Sequence, residues 1–280
     1  MLLESLFIIL IILVFAVIFY RAAIHEYTIL QKDWDVDATN WSELMAERSP
    51  LVIRDVPNTW TKLWTAKRCS KLGWPVILKE QKAGIKPVRV ALSVWLNSKS
   101  DVQKTPANKS DLASVSGLGE QANEISMHLR RPYWLPGSFS TGKMEAHVIR
   151  PNSNDFVGLK KTTAEATCWI STDGAPLRIW IAHEGATKGG EWLPKKPFGK
   201  DPWNFKTEEC PWIAEVKFLE IRLRPGNMFV LPPHWWVALR CDVERAAGNE
   251  VLHGSWYWTT EFHGPISWLA TRSYLISQDK

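Results

Sequence analysis

Cysteine is scarce, with only Cys69, Cys168, Cys210 and Cys241. They lie far apart and form no C-x-x-C pair, which excludes a zinc knuckle and a stapled disulfide framework. A reducing compartment fits, while the even count leaves one or two bridges open. No basic run is present either. The closest clusters are Lys160-Lys161 and Lys195-Lys196, so the formal net charge of +5 is scattered. Nucleic acid is not an expected partner on that pattern, and mild attraction to an anionic leaflet accounts for the charge. A phosphate-cradling loop is missing, because Gly117-Leu-Gly119 has no strand before it and no helix after it. No G-x-S-x-G elbow supports a hydrolase, although His253 and Ser255 are close in sequence. Asn108-Lys-Ser110 fits the N-x-S acceptor pattern, which matters only on a luminal or external face. No repeat of fixed period is found.

What is present in excess is tryptophan. The chain carries 17, spread from Trp34 to Trp268 and including the pairs Trp235-Trp236 and Trp256-x-Trp258. So even a spread favours core filling over a stacking surface for sugars, bases or cations. The hydrophobic fraction of 45% and charged fraction of 22% are ordinary for a globular protein. Beyond the N-terminal segment, enough of the 280 residues remain for one all-β domain with a sizeable core.

That segment, Leu6 to Tyr20, reads LFIILIILVFAVIFY. Counted from Leu2, with Glu4 among the headgroups, it reaches the length of a bilayer-spanning helix. Phe19 and Tyr20 then fall at the interface and Arg21 follows as a charged stop. A cleaved signal peptide would want a basic n-region and a small-residue cleavage site, and neither is found. A retained signal anchor is the expectation. Arg21 and Lys32 follow the segment and no basic side chain precedes it, which places the globular part on the cytoplasmic side.

Downstream, Trp41-Ser-Glu-Leu-Met-Ala-Glu47 reads as a short helix with Asn40 as N-cap. Pro50-Leu-Val-Ile-Arg54 reads as a strand and Thr59 to Leu72 as a helix carrying Trp60, Leu63 and Trp64 on one face. Strands are expected at Trp74–Leu78 and Val88–Val94, and residues 97–122 as a surface loop or insertion. From Phe156 onward the texture is β. Short apolar runs at 167–170, 177–182, 216–223, 228–231, 235–239 and 255–260 are broken by Gly and Pro, with Asp173-Gly174 as a hairpin turn. A last helix is expected over Pro265–Ile276. Many short strands argue for a sandwich or barrel.

Two segments carry a family resemblance. Pro50-Leu-Val-Ile-Arg-Asp-Val-Pro57, followed by Trp60 and Trp64, is similar to the "P-x-V-I-R-G" strand and Trp-bearing helix with which cupin-like proteins of the JmjC type open. Leu223-Arg-Pro-Gly-Asn-Met-Phe-Val-Leu-Pro-Pro-His-Trp-Trp-Val-Ala-Leu239 resembles that family's "L-x-P-G-D-x-L-F-I-P-P-G-W-W-H" hairpin, with Gly226 at the turn. The resemblance implies a mainly β chain: a double-stranded β-helix, or jelly roll, with flanking helices, preceded by one transmembrane helix. The corresponding division is an anchor over 1–21, a linker and short helix over 22–48, a cupin-like domain over 49–270 and a tail over 271–280.

Active members of the family are Fe(II)- and 2-oxoglutarate-dependent oxygenases whose iron sits on two His and one carboxylate, the first two ligands being H-x-D or H-x-E. No His here is followed two places later by Asp or Glu. The slot falls at Thr167-Cys-Trp169 or Arg178-Ile-Trp180, and the last His slot, after the Trp pair, is Val237. The resemblance therefore supports the fold and argues for a pseudoenzyme. His183, His234, Glu261 and His263 are the residues left for a reorganised metal site, Glu261 and His263 sharing one strand face.

Three functions compete on this reading. The first, favoured, is a membrane-anchored cupin-like domain that binds a small molecule or protein partner without catalysis. The second is an oxygenase, hydroxylase- or demethylase-like, with unusual ligands, and the third is a structural membrane component. By resemblance the pocket at the barrel mouth is lined by Thr167, Trp169, Arg178, Trp180, Trp235 and Val237. An inward Arg178 needs an anionic partner, such as Glu261, Asp173 or an anionic group of a ligand, because an unpaired buried charge is costly.

Overall fold

The computed structural model of the chain describes residues 2–22, 28–35, 44–45, 47–69, 71, 75–79, 88–91, 94, 105–106, 117–128, 140–151, 156–183, 202–204, 208, 211–214, 216–242 and 254–264. The chain is mainly β. Helix α1 (Leu2–Ala22) is followed by β1 (Leu30–Asp33), β2 (Leu51–Arg54), the short helices α2 (Asn58–Thr61) and α3 (Ala66–Cys69), and β3 (Pro75–Lys79), β4 (Val88–Ala91) and β5 (Thr105–Pro106). Helix α4 (Leu118–His128) precedes β6 (Ser140–Ile149), β7 (Phe156–Lys161), β8 (Ala166–Gly174), β9 (Leu177–His183), β10 (Leu219–Leu223), β11 (Met228–Leu231), β12 (Trp235–Cys241) and β13 (Ser255–His263).

Six strands form one sheet in the order β1-β2-β11-β8-β13-β6, and four form a second in the order β10-β9-β12-β7; β4-β3-β5 make a small third sheet. Every pairing from β6 to β13 is antiparallel, whereas β1 joins β2 in parallel. From β6 to β9 the chain alternates between the large and the small sheet. It does so again from β10 to β13, so neighbours in sequence face each other across the interior.

Alternation along each strand then sorts side chains into three layers. Trp169, Phe229, Leu231 and Tyr257 of the large sheet meet Leu177, Ile179, Ile181, Trp235, Val237 and Leu239 of the small sheet between the two. On the outside of the large sheet, Cys168, Ile170, Met228, Val230, Trp256 and Trp258 pack under Trp60, Trp64, Leu118, Ala122 and Ile125 from the helices. On the outside of the small sheet, Leu159, Ala182, Trp236 and Ala238 pack with Trp180, Trp203 and Phe218. Strands buried on both faces lose the clean polar–apolar pattern, which is why β8 reads as a nearly unbroken buried run.

Two indoles join the helical layer to the large sheet by donating to backbone carbonyls. Trp258 Nε1–H donates to the Trp60 carbonyl at 2.9 Å, and Trp64 Nε1–H donates to the His147 carbonyl at 2.8 Å. Asp173 serves both layers, accepting the Gly174 N–H at 2.8 Å and the Ala66 N–H at 2.9 Å. The hairpin expected at Asp173-Gly174 does not form, because β8 and β9 lie in different sheets; Gly174, with φ of 78°, instead ends β8 opposite Ser255, and an added Cβ there would strike the Gly254 carbonyl. Gly226, with φ of 86°, makes the turn between β10 and β11, as the sequence indicates.

The strands expected from Phe156 onward are present, with β10 starting at Leu219 rather than Val216. The single helix expected over Thr59–Leu72 is instead two short ones. Thr65 divides them: its Oγ1 accepts the Arg68 N–H at 3.3 Å, an N-cap, and its carbonyl accepts the Cys69 N–H at 2.9 Å. Trp60 and Trp64 are buried as expected, 0% and 1% exposed. Residues 118–122, read as loop, begin α4; Leu118, Ala122 and Ile125 supply a helical stripe that Gly119, Asn123 and Ser126 dilute. Strands β1 and β6 were not expected. The expected helices over most of 41–47 and all of 265–276 lie outside the described residues.

The α1 backbone runs for 21 residues. Among the described residues no helix is long and apolar enough to cross a membrane. Leu6, Phe7, Ile8, Ile9, Leu10 and Ile12 are each more than half exposed, and among the described residues no α1 side chain enters any of the three core layers.

Replacing Trp258 with Phe keeps most of the apolar volume but leaves the Trp60 carbonyl without its donor. Urea unfolding should show a loss of about 1–3 kcal/mol. No loss would show that this bond does not hold the helices to the sheet.

Candidate functional site

Beneath one end of the two sheets, polar side chains interrupt the apolar interior. The end of β7, the starts of β8 and β12 and the end of β13 meet here. Thr162 donates from its backbone N–H to the Trp235 carbonyl at 2.7 Å, and the Glu165 N–H donates to the Phe262 carbonyl at 3.0 Å. The inner face of β6 carries Lys143, Glu145 and His147, while Met144, Ala146 and Val148 pack in the outer layer under the helices. Glu145 lies opposite Thr259 of β13, and Glu261 opposite Thr167 of β8. From the small sheet, Lys160 of β7 lies opposite the interior residue Val237.

Glu145 centres the charge pattern. Lys143 Nζ lies 2.8 Å from Glu145 Oε1, and His147 Nε2 lies 3.4 Å from Oε2. Burial pushes the Glu145 carboxyl up, but the hydrogen bonds and charges of His147 and Lys143 outweigh it and hold it well below the usual carboxylate range. The bond to Glu145 raises Lys143 above the ordinary lysine value, against the opposing effect of its own burial. The His147 ring stacks on Tyr257 at 4.7 Å and lies 3.4 Å from Thr259 Oγ1.

Lys160 is treated differently by its surroundings. Burial lowers its pKa, opposed by the charges of Glu261 and Glu145 and assisted by that of Lys143. Among the described residues no carboxylate comes within ion-pair distance of it. Among the described residues, the indole N–H of the fully buried Trp169 has no hydrogen-bond partner.

The residues singled out from sequence divide between two faces. Trp169, Trp235 and Val237 face the space between the sheets, and Thr167 alternates with Trp169 on the same side of β8. Arg178 and Trp180 do not line that space; they lie on the outside of the small sheet, because β9 turns its odd-numbered side chains inward. Arg178 Nη2 pairs with Glu220 Oε2 at 2.8 Å, so its partner is neither Glu261 nor Asp173. Trp180 Nε1–H donates to the same carboxylate oxygen at 2.9 Å, and its ring packs on Trp203 and Phe218.

Of the metal candidates, Glu261 and His263 approach at 3.8 Å. His183 packs edge-on against Trp235 with ring centroids 4.9 Å apart. His234 sits in the turn before β12 at φ of 70°, its N–H donating to the Thr162 carbonyl at 2.9 Å. Among the described residues no three His, Cys, Asp or Glu side chains gather as a metal site would require. Iron and 2-oxoglutarate, which the resemblance implies, do not fit the family positions either. Thr167, Trp169 and Val237 offer a hydroxyl, an indole and an isopropyl group, and Lys160 stands opposite Val237 in the strand register.

Lys143, Glu145, His147, Lys160 and Thr259 were not anticipated. The signal for three of them is the alternation Lys143-Met-Glu-Ala-His-Val148. It resembles a strand with a solvent face, and only the helices covering the apolar side turn the polar side inward. Compared with protein-family models and with curated proteins, the chain matches none of either.

Above the ordinary carboxyl value of 4.5 the Glu145 contribution to stability is fully present. Below it the unfolded chain takes up a proton before the folded one does, so stability falls toward the lower folded value. Glu145→Gln should flatten that acid limb and cost about 1–3 kcal/mol at neutral pH. Unfolding curves with an unaltered acid limb would assign the limb to other carboxylates.

Proposed function

We propose that this chain is a membrane-tethered domain of the cupin-like, JmjC-type fold that binds a small molecule between its sheets and does not perform the family's oxygen chemistry. The observation that carries the reading is the mixed-charge cluster around Glu145 in an interior that is otherwise apolar. Such a cluster is costly to bury unless its groups are paired, and pockets of this kind hold ligands by a few polar groups on an apolar wall. The double-stranded β-helix is favoured by the strand orders β6-β13-β8-β11 and β7-β12-β9-β10, two interleaved four-stranded layers. Both resemblance segments contribute to that arrangement, β2 pairing with β11. The residues at the iron positions favour binding over oxygenation.

The tether rests on the α1 backbone, whose 21 residues at about 1.5 Å each match a hydrocarbon core about 30 Å thick. Its exposed side chains form an apolar surface that water disfavours on every side. Arg21 and Lys32 orient the domain toward the cytoplasmic face. The free thiols of the buried Cys69 and Cys168 agree with that side.

Two measurements test the two halves. The full chain should float with vesicles through an alkaline carbonate wash, and deletion of residues 2–21 should release it. A broad thermal-shift screen of the detergent-solubilised chain should find a small molecule that raises the Tm, with the gain lost in Glu261→Gln. A chain that no small molecule stabilises would favour a structural membrane component.

A further inference from the structure

We propose that the outer face of the small sheet is a docking surface for the anionic headgroups of the bilayer that holds α1. This rests on the tether reading above and adds to it the face that meets the membrane. Three arginines stand abreast on that face. In the strand register Arg178 of β9 lies opposite Arg222 of β10 on one side and opposite Arg240 of β12 on the other. Adjacent strands are about 4.8 Å apart, and like charges directly opposite each other weaken a sheet. The row adds nothing to the core between the sheets, which Ile179, Ile221 and Leu239 of the same strands fill. A local rule broken without a gain in the fold points to a functional use.

Two carboxylates offset the row in part. Glu220 bonds Arg178 at 2.8 Å, and Arg222 Nε lies 3.6 Å from both Glu220 Oε1 and Asp242 Oδ2. Arg240 is placed differently. Its guanidinium lies over the Trp203 ring at 5.0 Å, and among the described residues no acid pairs with it. Lys161 of β7, opposite the outer-layer Trp236, is a fourth cation on this side. Four cations against two carboxylates leave the face positive, and the Arg222 side chain is 39% exposed. Beside the row, Trp180 packs on Trp203 and Phe218 with ring centroids 4.8 and 5.2 Å apart, all three only partly buried. Indoles next to guanidinium groups suit the headgroup zone, where Trp is enriched and Arg meets phosphate through paired hydrogen bonds.

The occupant follows from the tether. Helix α1 ends at Ala22 and β1 begins at Leu30. The stretch between them spans no more than about 30 Å when fully extended. Headgroups are thereby held at high effective concentration around the domain, whereas a soluble polyanion must be captured from dilute solution. An anionic leaflet attracts basic groups that come within about one Debye length of it.

The test reconstitutes the full chain in vesicles of phosphatidylcholine, alone or with about one third phosphatidylserine. Brief treatment with phenylglyoxal, a neutral reagent for arginine, is followed by digestion and mass spectrometry, which give the labelling rate at each position. At about 0.1 M salt, Arg222 and Arg240 should label at least about threefold more slowly in the anionic vesicles. About 1 M salt, which shortens the Debye length to about 3 Å, should remove the difference. Arg68, on α3 at the opposite side of the stacked sheets, should label alike in both. Equal rates for Arg222 and Arg240 in the two kinds of vesicle would overturn the docking, as would an equal slowing of Arg68. Inorganic phosphate that slowed the pair as strongly in neutral vesicles would mark a small-anion site and overturn it too. A carbonate wash separates this from the tether. A chain that stays with the vesicles yet labels equally keeps the tether and loses the docking, and a chain that is stripped loses both.

Discussion

The carboxylate of Glu145 is the interaction on which the polar end of the interior depends. Two groups capable of positive charge, Lys143 and His147, reach it from the same strand, at 2.8 and 3.4 Å. In water such contacts contribute little, but between two packed sheets the effective dielectric is low, and an unmatched charge costs several kcal/mol. Lys143 keeps much of its side chain in solvent, 58% exposed, whereas His147 is 6% exposed. The His147 bond is therefore the one that burial strengthens. The same ring stacks on Tyr257 and its backbone carbonyl receives the Trp64 indole, so the charge pattern inside is tied to the helices outside.

Tryptophan performs a different task in each layer, which explains its abundance better than any stacking surface. Trp60, Trp64, Trp256 and Trp258 fill the layer under the helices, and two of them spend their N–H groups on carbonyls there. Trp180, Trp203 and Trp236 fill the outer side of the small sheet, with Arg240 set over the Trp203 ring at 5.0 Å. Between the sheets, Trp169 and Trp235 are the large apolar wall against which the polar end is set. The Trp235-Trp236 pair illustrates the rule of alternation: adjacent in sequence, they belong to different layers.

The strands from β7 to β13 could be read from sequence because each is a short run bounded by Gly or Pro, a local signal. The layers could not. Whether Arg178 faces inward depends on strand register across the small sheet, where it stands opposite Arg222 and Arg240 and meets Glu220 on the same outer face. No window of the sequence contains that information. The inner face of β6 failed for the opposite reason: Lys143, Glu145 and His147 look like a solvated edge, and only the burial of Ala146 and the packing of Met144 and Val148 under the helices decide otherwise. Helix α4 was missed because Gly119, Asn123 and Ser126 are weak helix formers, and tertiary packing of Leu118, Ala122 and Ile125 overrides them.

The register of β7 against β12 finally bears on what kind of chemistry the interior can host. Where a metal-binding sheet would aim donors at a common point, this one stands Lys160 opposite Val237 in the strand register. Valine offers an ion no donor and a protonated lysine repels one, so these two positions do not supply what the family's iron needs. The nearby acids, Glu145 and Glu261, are each approached by a histidine already. That constraint follows from one lysine placed on the inner side of an edge strand, opposite an interior valine.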